Sequence, residues 1–481
     1  MTIPTIKFGT DGWRGVIGDD FTFEAVRAVA QGIADYVRDR GGDRLVVGYD
    51  CRFASEVFAD DVARVLAANR VRALLVDRAS PTQVASWTVI DRGASGAAVV
   101  TASHNPYLFN GVKYKPETGS SAPSDVVGEL EQRINGVAGR RLEVHRADPD
   151  DPLIERFDPR PSYQAQVARM VDLERMRSAG IRILHECMHG SGAGYVRELL
   201  GGGATKVTEL HAERNPFFGG VSPEPIPPNL RPALDTMGEG GFDLCICTDG
   251  DADRVGILDE HGRFVNQLQV YALLLRYLVE VRGWKGPIVK SINMTSMADR
   301  LAARYEIPVH EVPVGFKFIA PRMMETGALL GGEESGGYAI RGHIPERDGI
   351  VIGLFLADLV VRTGQALSTQ LAELERLVGP HAYGRHDIHL PRETYERDRQ
   401  RVLTTLRDHA PAVVAGEKVA AVRDDDGFKF TLDDGSWVLL RASGTEALVR
   451  VYSEAASEEA VEARLHALEE IVGIRSDGRV G

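Results

Sequence analysis

Cysteine is scarce: Cys51, Cys187, Cys245 and Cys247 are the only four in 481 residues, and no CxxC spacing occurs. That argues against a disulfide framework, and it fits a reduced, cytosolic protein. Cys245 and Cys247, two apart in an apolar run, are expected to point the same way from one strand. Long apolar runs are also missing, since none approaches the roughly eighteen residues of a membrane span. The opening MTIPTIKFGTDGWRG has no apolar core of a secretory signal. The expectation is a cytoplasmic protein without a membrane partner. Nor is there a surplus of positive charge. With 56 basic against 69 acidic residues the net charge is -13, a field that repels nucleic acid and anionic lipid. A small phosphorylated ligand stays compatible, because a few arginines in one cleft outweigh the global field locally.

What the chain does contain is a strand-helix rhythm, and its length suggests about three domains, at most four. From Thr22, apolar residues Val26, Val29, Ala30, Ile33 and Val37 keep helical spacing, with Gly41-Gly42 as a stop. Strands at 45–49, 73–76 and 97–100 alternate with helices at 56–69 and 83–90, which implies a parallel α/β sheet with right-handed crossovers. The stretch 148–161 carries four prolines and many charges and reads as a linker. A second α/β pattern follows from 181. Its glycine run at 190–194 fits a phosphate loop or simply a tight strand-to-helix turn. The prolines of 222–230 imply an extended surface loop. A third pattern starts after Phe264, with a helix expected at 268–281 and a strand at 328–330. Beyond Gly364 the composition changes, and acidic-glycine turns at 424–427 and 433–435 separate short alternating segments that read as antiparallel hairpins.

Four stretches carry chemistry. Ala97-Ala-Val-Val100 reads as a buried strand delivering Thr101-Ala-Ser-His-Asn-Pro106 into a turn, and active groups of such sheets lie at the carboxyl ends of strands. Ser103 beside His104, with Lys113 ten residues on, has the parts of an activated nucleophile: a hydroxyl, a base and a cation for phosphate. An Asn-Pro turn capped by a serine hydroxyl explains the same residues. The strand Phe242–Cys247 runs into Thr-Asp249-Gly-Asp251-Ala-Asp253-Arg254. Three carboxylates at alternate positions repel one another unless a hard cation lies between them, and oxygen-only ligation suits Mg²⁺, Mn²⁺ or Ca²⁺. Asp249, Asp251, Asp253 and Glu260 match positions 1, 3, 5 and 12 of an EF-hand, yet Arg254 stands where that loop needs glycine and a strand leads in. A solvated acidic turn is the bland alternative. Gly332-Glu-Glu-Ser-Gly-Gly337 offers carboxylates and a hydroxyl to sugar hydroxyls, or is an acidic surface turn. Arg441-Ala-Ser-Gly-Thr-Glu446, with Arg450 beyond, provides a guanidinium, two hydroxyls and a glycine amide, a cradle for a phosphate dianion. Phe8–Gly15, FGTDGWRG, presents Arg14 in a glycine-rich loop that either approaches a ligand or is a plain turn.

Together these motifs, in this order along the whole chain, closely resemble the α-D-phosphohexomutase superfamily, the phosphoglucomutase and phosphomannomutase enzymes. Gly48-x-Asp50-x-Arg52, Asn110-Gly-Val-Lys113, Pro223-Glu-Pro-x-Pro-x-Asn-Leu230 and Val314-Gly-Phe-Lys317 support the match. The resemblance implies an α/β protein of four domains around a central cleft: three related α/β units with mixed, mainly parallel sheets and a smaller C-terminal α+β domain with an antiparallel sheet. The expected boundaries are 1–150 with the phosphoserine loop, 151–258 with the metal loop, 259–370 with the sugar loop and 371–481 with the phosphate loop. The resemblance further implies that phosphorylated Ser103 exchanges its phosphoryl group with a hexose phosphate through a 1,6-bisphosphate, glucose 1,6-bisphosphate serving as activator. Mg²⁺ is expected on Asp249, Asp251, Asp253 and the phosphoserine oxygen of Ser103. Arg14, His104, Lys113 and Lys317 are then candidates for acid-base work or phosphoryl stabilisation. Glu333 and Ser335 would grip the sugar, and Arg441, Ser443, Gly444, Thr445 and Arg450 the distal phosphate. GEESGG resembles the glucose and dual glucose/mannose versions, so glucose phosphates are expected first and mannose phosphates next. Phosphoglucosamine mutase, a Mg²⁺-dependent sugar phosphatase and a non-catalytic sugar-phosphate sensor are the alternatives. The expected partner is a hexose phosphate, not nucleic acid, and the assembly a monomer or homodimer.

Overall fold

In the computed structural model of the chain, which describes residues 3, 5–139, 143–443 and 447–475, the first α/β domain is a six-stranded sheet. Its strands are β1 (Trp13–Val16), β2 (Arg44–Tyr49), β3 (Arg72–Val76), β4 (Gly96–Val100), β5 (Phe109–Pro116) and β6 (Ile154–Phe157), in the order β1-β5-β4-β2-β3-β6. β4, β2, β3 and β6 run parallel, while β5 is antiparallel to both β4 and β1. The helix Phe23–Asp39 starts where the Thr22 hydroxyl accepts from the Ala25 amide, and Val26, Val29, Ala30, Ile33 and Val37 are buried, as their spacing requires. Every residue of β4 is buried. Each fully buried Val contributes roughly 1.5–3 kcal/mol, so this strand is pinned by the core, and the Ser103 turn begins where that core ends.

The stretch expected as a linker contains β6, paired in parallel with β3 from Ala73↔Ile154 to Val76↔Phe157. Pro149 and Pro152 precede this edge strand and Pro159 and Pro161 follow it. The prolines therefore flank the ladder without interrupting it, and Pro161 falls in the first turn of the helix Arg160–Met170.

The second domain has β7 (Arg182–Glu186), β8 (Lys206–Leu210), β9 (Leu244–Thr248), β10 (Val255–Leu258) and β11 (Phe264–Val265), ordered β11-β10-β9-β7-β8. β7 is parallel to both β8 and β9, and β9 turns back into antiparallel β10 through the acidic loop 249–254. Cys245 and Cys247 do share one face of β9, with their sulfurs 3.5 Å apart. The 222–230 segment is less superficial than its prolines suggest: the Pro223 carbonyl accepts from the Gly250 amide at 3.2 Å, and a Cβ on Gly256 would meet the Pro225 oxygen at 2.2 Å. It buttresses the acidic loop.

The third α/β domain supplies β12 (Ile288–Ser291), β13 (Val309–Val312) and the antiparallel hairpin of β14 (Leu330–Glu333) and β15 (Gly337–Ile340). Its first helix, expected over 268–281, is α-helical from Gln267 to Arg276 and continues as a π turn over Tyr277–Val281. Gly331 and Gly332 belong to strand β14, not to a loop. A Cβ on Gly331 would lie 2.1 Å from the Met323 sulfur and one on Gly332 2.6 Å from the Tyr271 ring, so both glycines admit close packing.

In the C-terminal domain β16 (Ala382–His389), β17 (Val413–Val414), β18 (Glu417–Arg423), β19 (Phe428–Leu432), β20 (Trp437–Ala442) and β21 (Leu448–Ala455) are ordered β16-β21-β20-β19-β18-β17, every pair antiparallel. Helices Tyr395–Asp408 and Glu458–Val472 help close its core around Phe430, Leu440, Val451 and Leu465. The chain divides into two compact units, residues 1–289 with 315–370 and residues 290–314 with 371–481. Among the described residues no single helix is long and apolar enough to cross a membrane.

Candidate active site

The first unit brings the serine turn and the acidic loop together. Ser103 sits directly after β4 at a positive φ of 52°, almost wholly buried. Its amide donates to the Thr101 hydroxyl at 2.8 Å, and that hydroxyl donates to Asp50 at 2.7 Å. Arg52, with no exposed surface, donates to the carbonyls of Ser103 (2.5 Å), Asn105 (2.6 Å), Pro106 and Phe109 (both 3.0 Å). One guanidinium thus fixes four carbonyls of the turn, at a conformation few non-glycine residues adopt. Asp50, 3.3 Å from the Arg52 Nε, balances its charge. Sequence reading placed Asp50 and Arg52 in a supporting motif and gave them no task. Their task is to hold the serine.

The Ser103 hydroxyl donates to Asp249 Oδ2 at 2.7 Å and lies 3.4 Å from His104 Nδ1. Burial, together with Arg254, Arg14, Arg52 and Lys113, holds His104 well below the usual imidazole range, so the ring is neutral. Arg14 donates to the Asn105 side chain at 2.6 Å. Burial and the neighbouring Arg254 lower its pKa from the ordinary guanidinium value.

Asp249, Asp251 and Asp253 offer oxygens within 4.8 Å of one another, all fully buried. Burial and the other two carboxylates push Asp249 well above the usual carboxylate range. Asp251 is held below it: burial opposes ionisation, and Lys113 with the Thr82 hydroxyl outweighs burial. Asp251 Oδ1 and Asp253 Oδ1 have no hydrogen-bond partner. Orphaned, buried carboxylate oxygens are costly, and a hard divalent cation is the ligand that satisfies them. The donor set therefore fits Mg²⁺. Full burial rules out a solvated acidic turn, and the strand β9 leading in separates the loop from an EF-hand.

Lys113 contacts three carboxylates: Asp11 at 2.9 Å, Asp251 at 2.8 Å and Asp253 at 2.7 Å. Burial works against its charge, but these carboxylates raise its pKa above the ordinary lysine value, so it is an ammonium. Arg347 joins the same cluster, pairing with Asp11, with Asp253 at 2.8 Å and with Glu333 at 3.0 Å. Lys115 bridges Asp11 (2.9 Å) and Glu346 (2.7 Å). Glu333 is also the acceptor for the Ser335 hydroxyl at 2.8 Å, so the expected sugar pair is preset. Asp11, Lys115, Glu346 and Arg347 carried no assigned role in the sequence reading. The available signal was Glu346-Arg347-Asp348, three charges immediately before the apolar helix Gly349–Thr363, whose burial demands partners. Lys317 lies in the first turn of the helix Phe316–Thr326, half-buried, with its ammonium 5.3 Å from the Phe318 ring centre.

The second unit holds the other candidates. Arg441 on β20 is paired with both oxygens of Asp426 at 2.9 and 3.0 Å, and Arg450 on β21 lies 3.5 Å from Asp387. Arg441 and Arg450 are register partners, so both project from one face. Ser443 is buried, its carbonyl accepting from Tyr395 at 2.5 Å. Gly444 and Thr445 lie outside the described residues.

Family models of phosphoglucomutase/phosphomannomutase match the chain four times: alpha/beta/alpha domain I over residues 5–140, domain II over 161–262, domain III over 266–377 and the C-terminal domain over 401–471. Fold and matches together define a multidomain α/β mutase. A crystal structure from Thermus thermophilus, provisionally described as a phosphomannomutase, superposes with a TM-score of 0.85 at 34% identity, covering 98% of this chain and 100% of that one. The phosphoglucomutase/phosphomannomutase of Thermococcus kodakarensis is 28% identical over 455 residues, 94% of this chain and 95% of its own. The phosphoglucosamine mutase of Paenarthrobacter aurescens is 29% identical over 461 residues, 95% and 94%. The chain belongs to the phosphoglucomutase/phosphomannomutase family of the α-D-phosphohexomutase superfamily.

Proposed function

We propose that this protein interconverts hexose 1-phosphate and hexose 6-phosphate, with glucose phosphates preferred and mannose phosphates next, through phosphorylated Ser103. The observation that carries the reading is the Ser103 hydroxyl held 2.7 Å from a buried three-aspartate site with two orphaned oxygens. A free hydroxyl of the sugar attacks the phosphorus, the bond from phosphorus to Ser103 Oγ breaks, and the proton of the attacking hydroxyl ends on the released Ser103 Oγ. The resulting 1,6-bisphosphate turns round, and its other phosphate returns to Ser103. Atoms balance without a co-reactant, and glucose 1,6-bisphosphate acts only as primer.

Neutral His104, 3.4 Å from Ser103 Oγ, is the proton carrier whose state suits the task. Lys113, as an ammonium clasped by carboxylates, serves as a charge organiser, and Arg14 and Lys317 supply positive charge to the phosphoryl group. Asp249, Asp251 and Asp253 would hold Mg²⁺, which when bound neutralises phosphoryl charge. Glu333 and Ser335 would accept and donate to sugar hydroxyls, while Arg441, Ser443, Gly444, Thr445 and Arg450 would hold the distal phosphate. The curated relatives include phosphoglucosamine mutases at comparable identity, which keeps glucosamine phosphate as the second reading.

The test is conversion of glucose 1-phosphate with Mg²⁺ and a trace of glucose 1,6-bisphosphate, alongside mannose and glucosamine 1-phosphates. Conversion without free phosphate supports a mutase and ranks the sugars. Free phosphate release would replace the proposal with a phosphatase, and silence in every tube with a sensor.

A further inference from the structure

The C-terminal domain carries a second cluster of metal-binding type, built from different chemistry. His386 projects from β16, and Glu462, His466 and Glu469 project from the helix Glu458–Val472. Spacings of four and three residues put the helical trio on one face, turned toward the strand. The imidazoles lie with ring centres 5.2 Å apart. Each uses its two nitrogens in the same way. His386 Nδ1 is 2.6 Å from Glu469 Oε1 and His466 Nδ1 is 3.5 Å from Glu469 Oε2, while His386 Nε2 and His466 Nε2 lie 3.3 and 3.7 Å from one atom, Glu462 Oε2.

This arrangement has the two layers of a metal site. Glu469, with its side chain only 3% exposed, is hydrogen-bonded to His386 Nδ1 and lies beside His466 Nδ1, and both Nε2 atoms approach the same Glu462 oxygen. With Zn–N bonds of about 2.0–2.1 Å, tetrahedral ligands stand about 3.3 Å apart, and the Glu462 oxygen lies 3.3 and 3.7 Å from the two Nε2 atoms, close to that spacing. Two nitrogens and one carboxylate suit Zn²⁺ and its neighbours Co²⁺ and Ni²⁺, not Mg²⁺. Glu462 and His466 are over half exposed, so the ion has an entry path and room for water as a fourth ligand. We infer that His386, His466 and Glu462 bind a divalent transition metal, with Glu469 as the positioning residue. Asp387, next along β16, faces the opposite side of the sheet with Arg450, so this site stands apart from the anion-binding arginines. The bound ion would clamp the last helix to β16.

The experiment is Zn²⁺ titration of the full chain by calorimetry with Mg²⁺ in excess, which occupies the oxygen-only site. The wild type is expected to bind one Zn²⁺ equivalent and to melt at a higher temperature with it. His466→Ala, at an exposed position, should lose that equivalent. Glu469→Gln should bind about 10–100-fold more weakly through loss of imidazole orientation, and Asp251→Asn should bind as the wild type does. A wild type that binds no Zn²⁺, or a His466→Ala variant with unchanged stoichiometry and affinity, would overturn the inference. The readout is binding, so the result is independent of which sugar phosphate the enzyme converts.

Discussion

Arg52→Lys keeps the charge and removes the fork that holds the serine turn. The guanidinium, which like Asp50 has no exposed surface, serves four carbonyl oxygens and stands against that carboxylate. A lysine ammonium has three donors on one atom. With one donor directed to Asp50, at most two carbonyls are satisfied and two are left bare. At roughly 1.5–3 kcal/mol for each hydrogen bond to a charged group, the loss is about 3–6 kcal/mol. The released strain has an obvious outlet, because Ser103 is held at positive φ. Relaxation would move the hydroxyl away from Asp249, and a displacement of about 1 Å at a reacting group can cost on the order of a hundredfold in rate. Urea unfolding followed by circular dichroism and the mutase assay on the same preparation test both halves. The expected result is a clear fall in the unfolding midpoint with at least a hundredfold loss of turnover. A variant with the wild-type midpoint and turnover within threefold would refute the assignment of Arg52 as the anchor.

Ser103→Ala should fold normally, take up no phosphate from labelled glucose 1,6-bisphosphate and show no turnover; an active variant would end the phosphoserine reading. For Asp251→Asn, the stabilisation that Mg²⁺ gives the wild type, about 2.7 kcal/mol at a hundredfold excess over Kd, should vanish in thermal melts, and a retained shift would place the cation elsewhere. Gly250→Ala would set a Cβ 2.5 Å from the Ser103 carbonyl oxygen, so turnover should fall at least tenfold, and unchanged kinetics would show that the two loops are not so tightly apposed. Burial and the adjacent Lys290 push Lys429 down to about 8, against about 10.4 in an unfolded chain. Between those values only the unfolded state holds the proton, so stability should rise with pH across that window, by roughly 3 kcal/mol in total. Lys429→Met should flatten that slope in denaturation measured from pH 8 to 10.5, and an identical slope in the variant would assign it to other groups.

What could be read from the sequence was whatever is contiguous. The serine turn and the Asp249–Asp253 loop are single stretches, and their chemistry follows from residue type and spacing. The helix from Phe23 was legible because one periodic apolar face and one cap dictate it. Arg347 was not, because its partners Asp11 and Asp253 are 336 and 94 residues away, and the one local signal, its place before the apolar helix Gly349–Thr363, points to burial without naming a partner. β6 was missed because four residues between prolines carry too little pattern, although the core of the first sheet decides their conformation. The glycines of β14 suggested a loop, since glycine is a poor strand former; only the Met323 and Tyr271 side chains pressing on them show why the strand needs them.

The guanidinium of Arg347 touches the N-terminal loop at Asp11, the acidic loop at Asp253 and the hairpin residue Glu333. Segments far apart in the gene are therefore tied through one side chain, and drift in any of them is felt by the others. For enzyme engineering the unit of exchange is not the hairpin alone. A hairpin transplanted from a relative would have to travel with its own counterparts of Arg347, Asp11 and the acidic loop, or arrive with its carboxylate aimed at nothing.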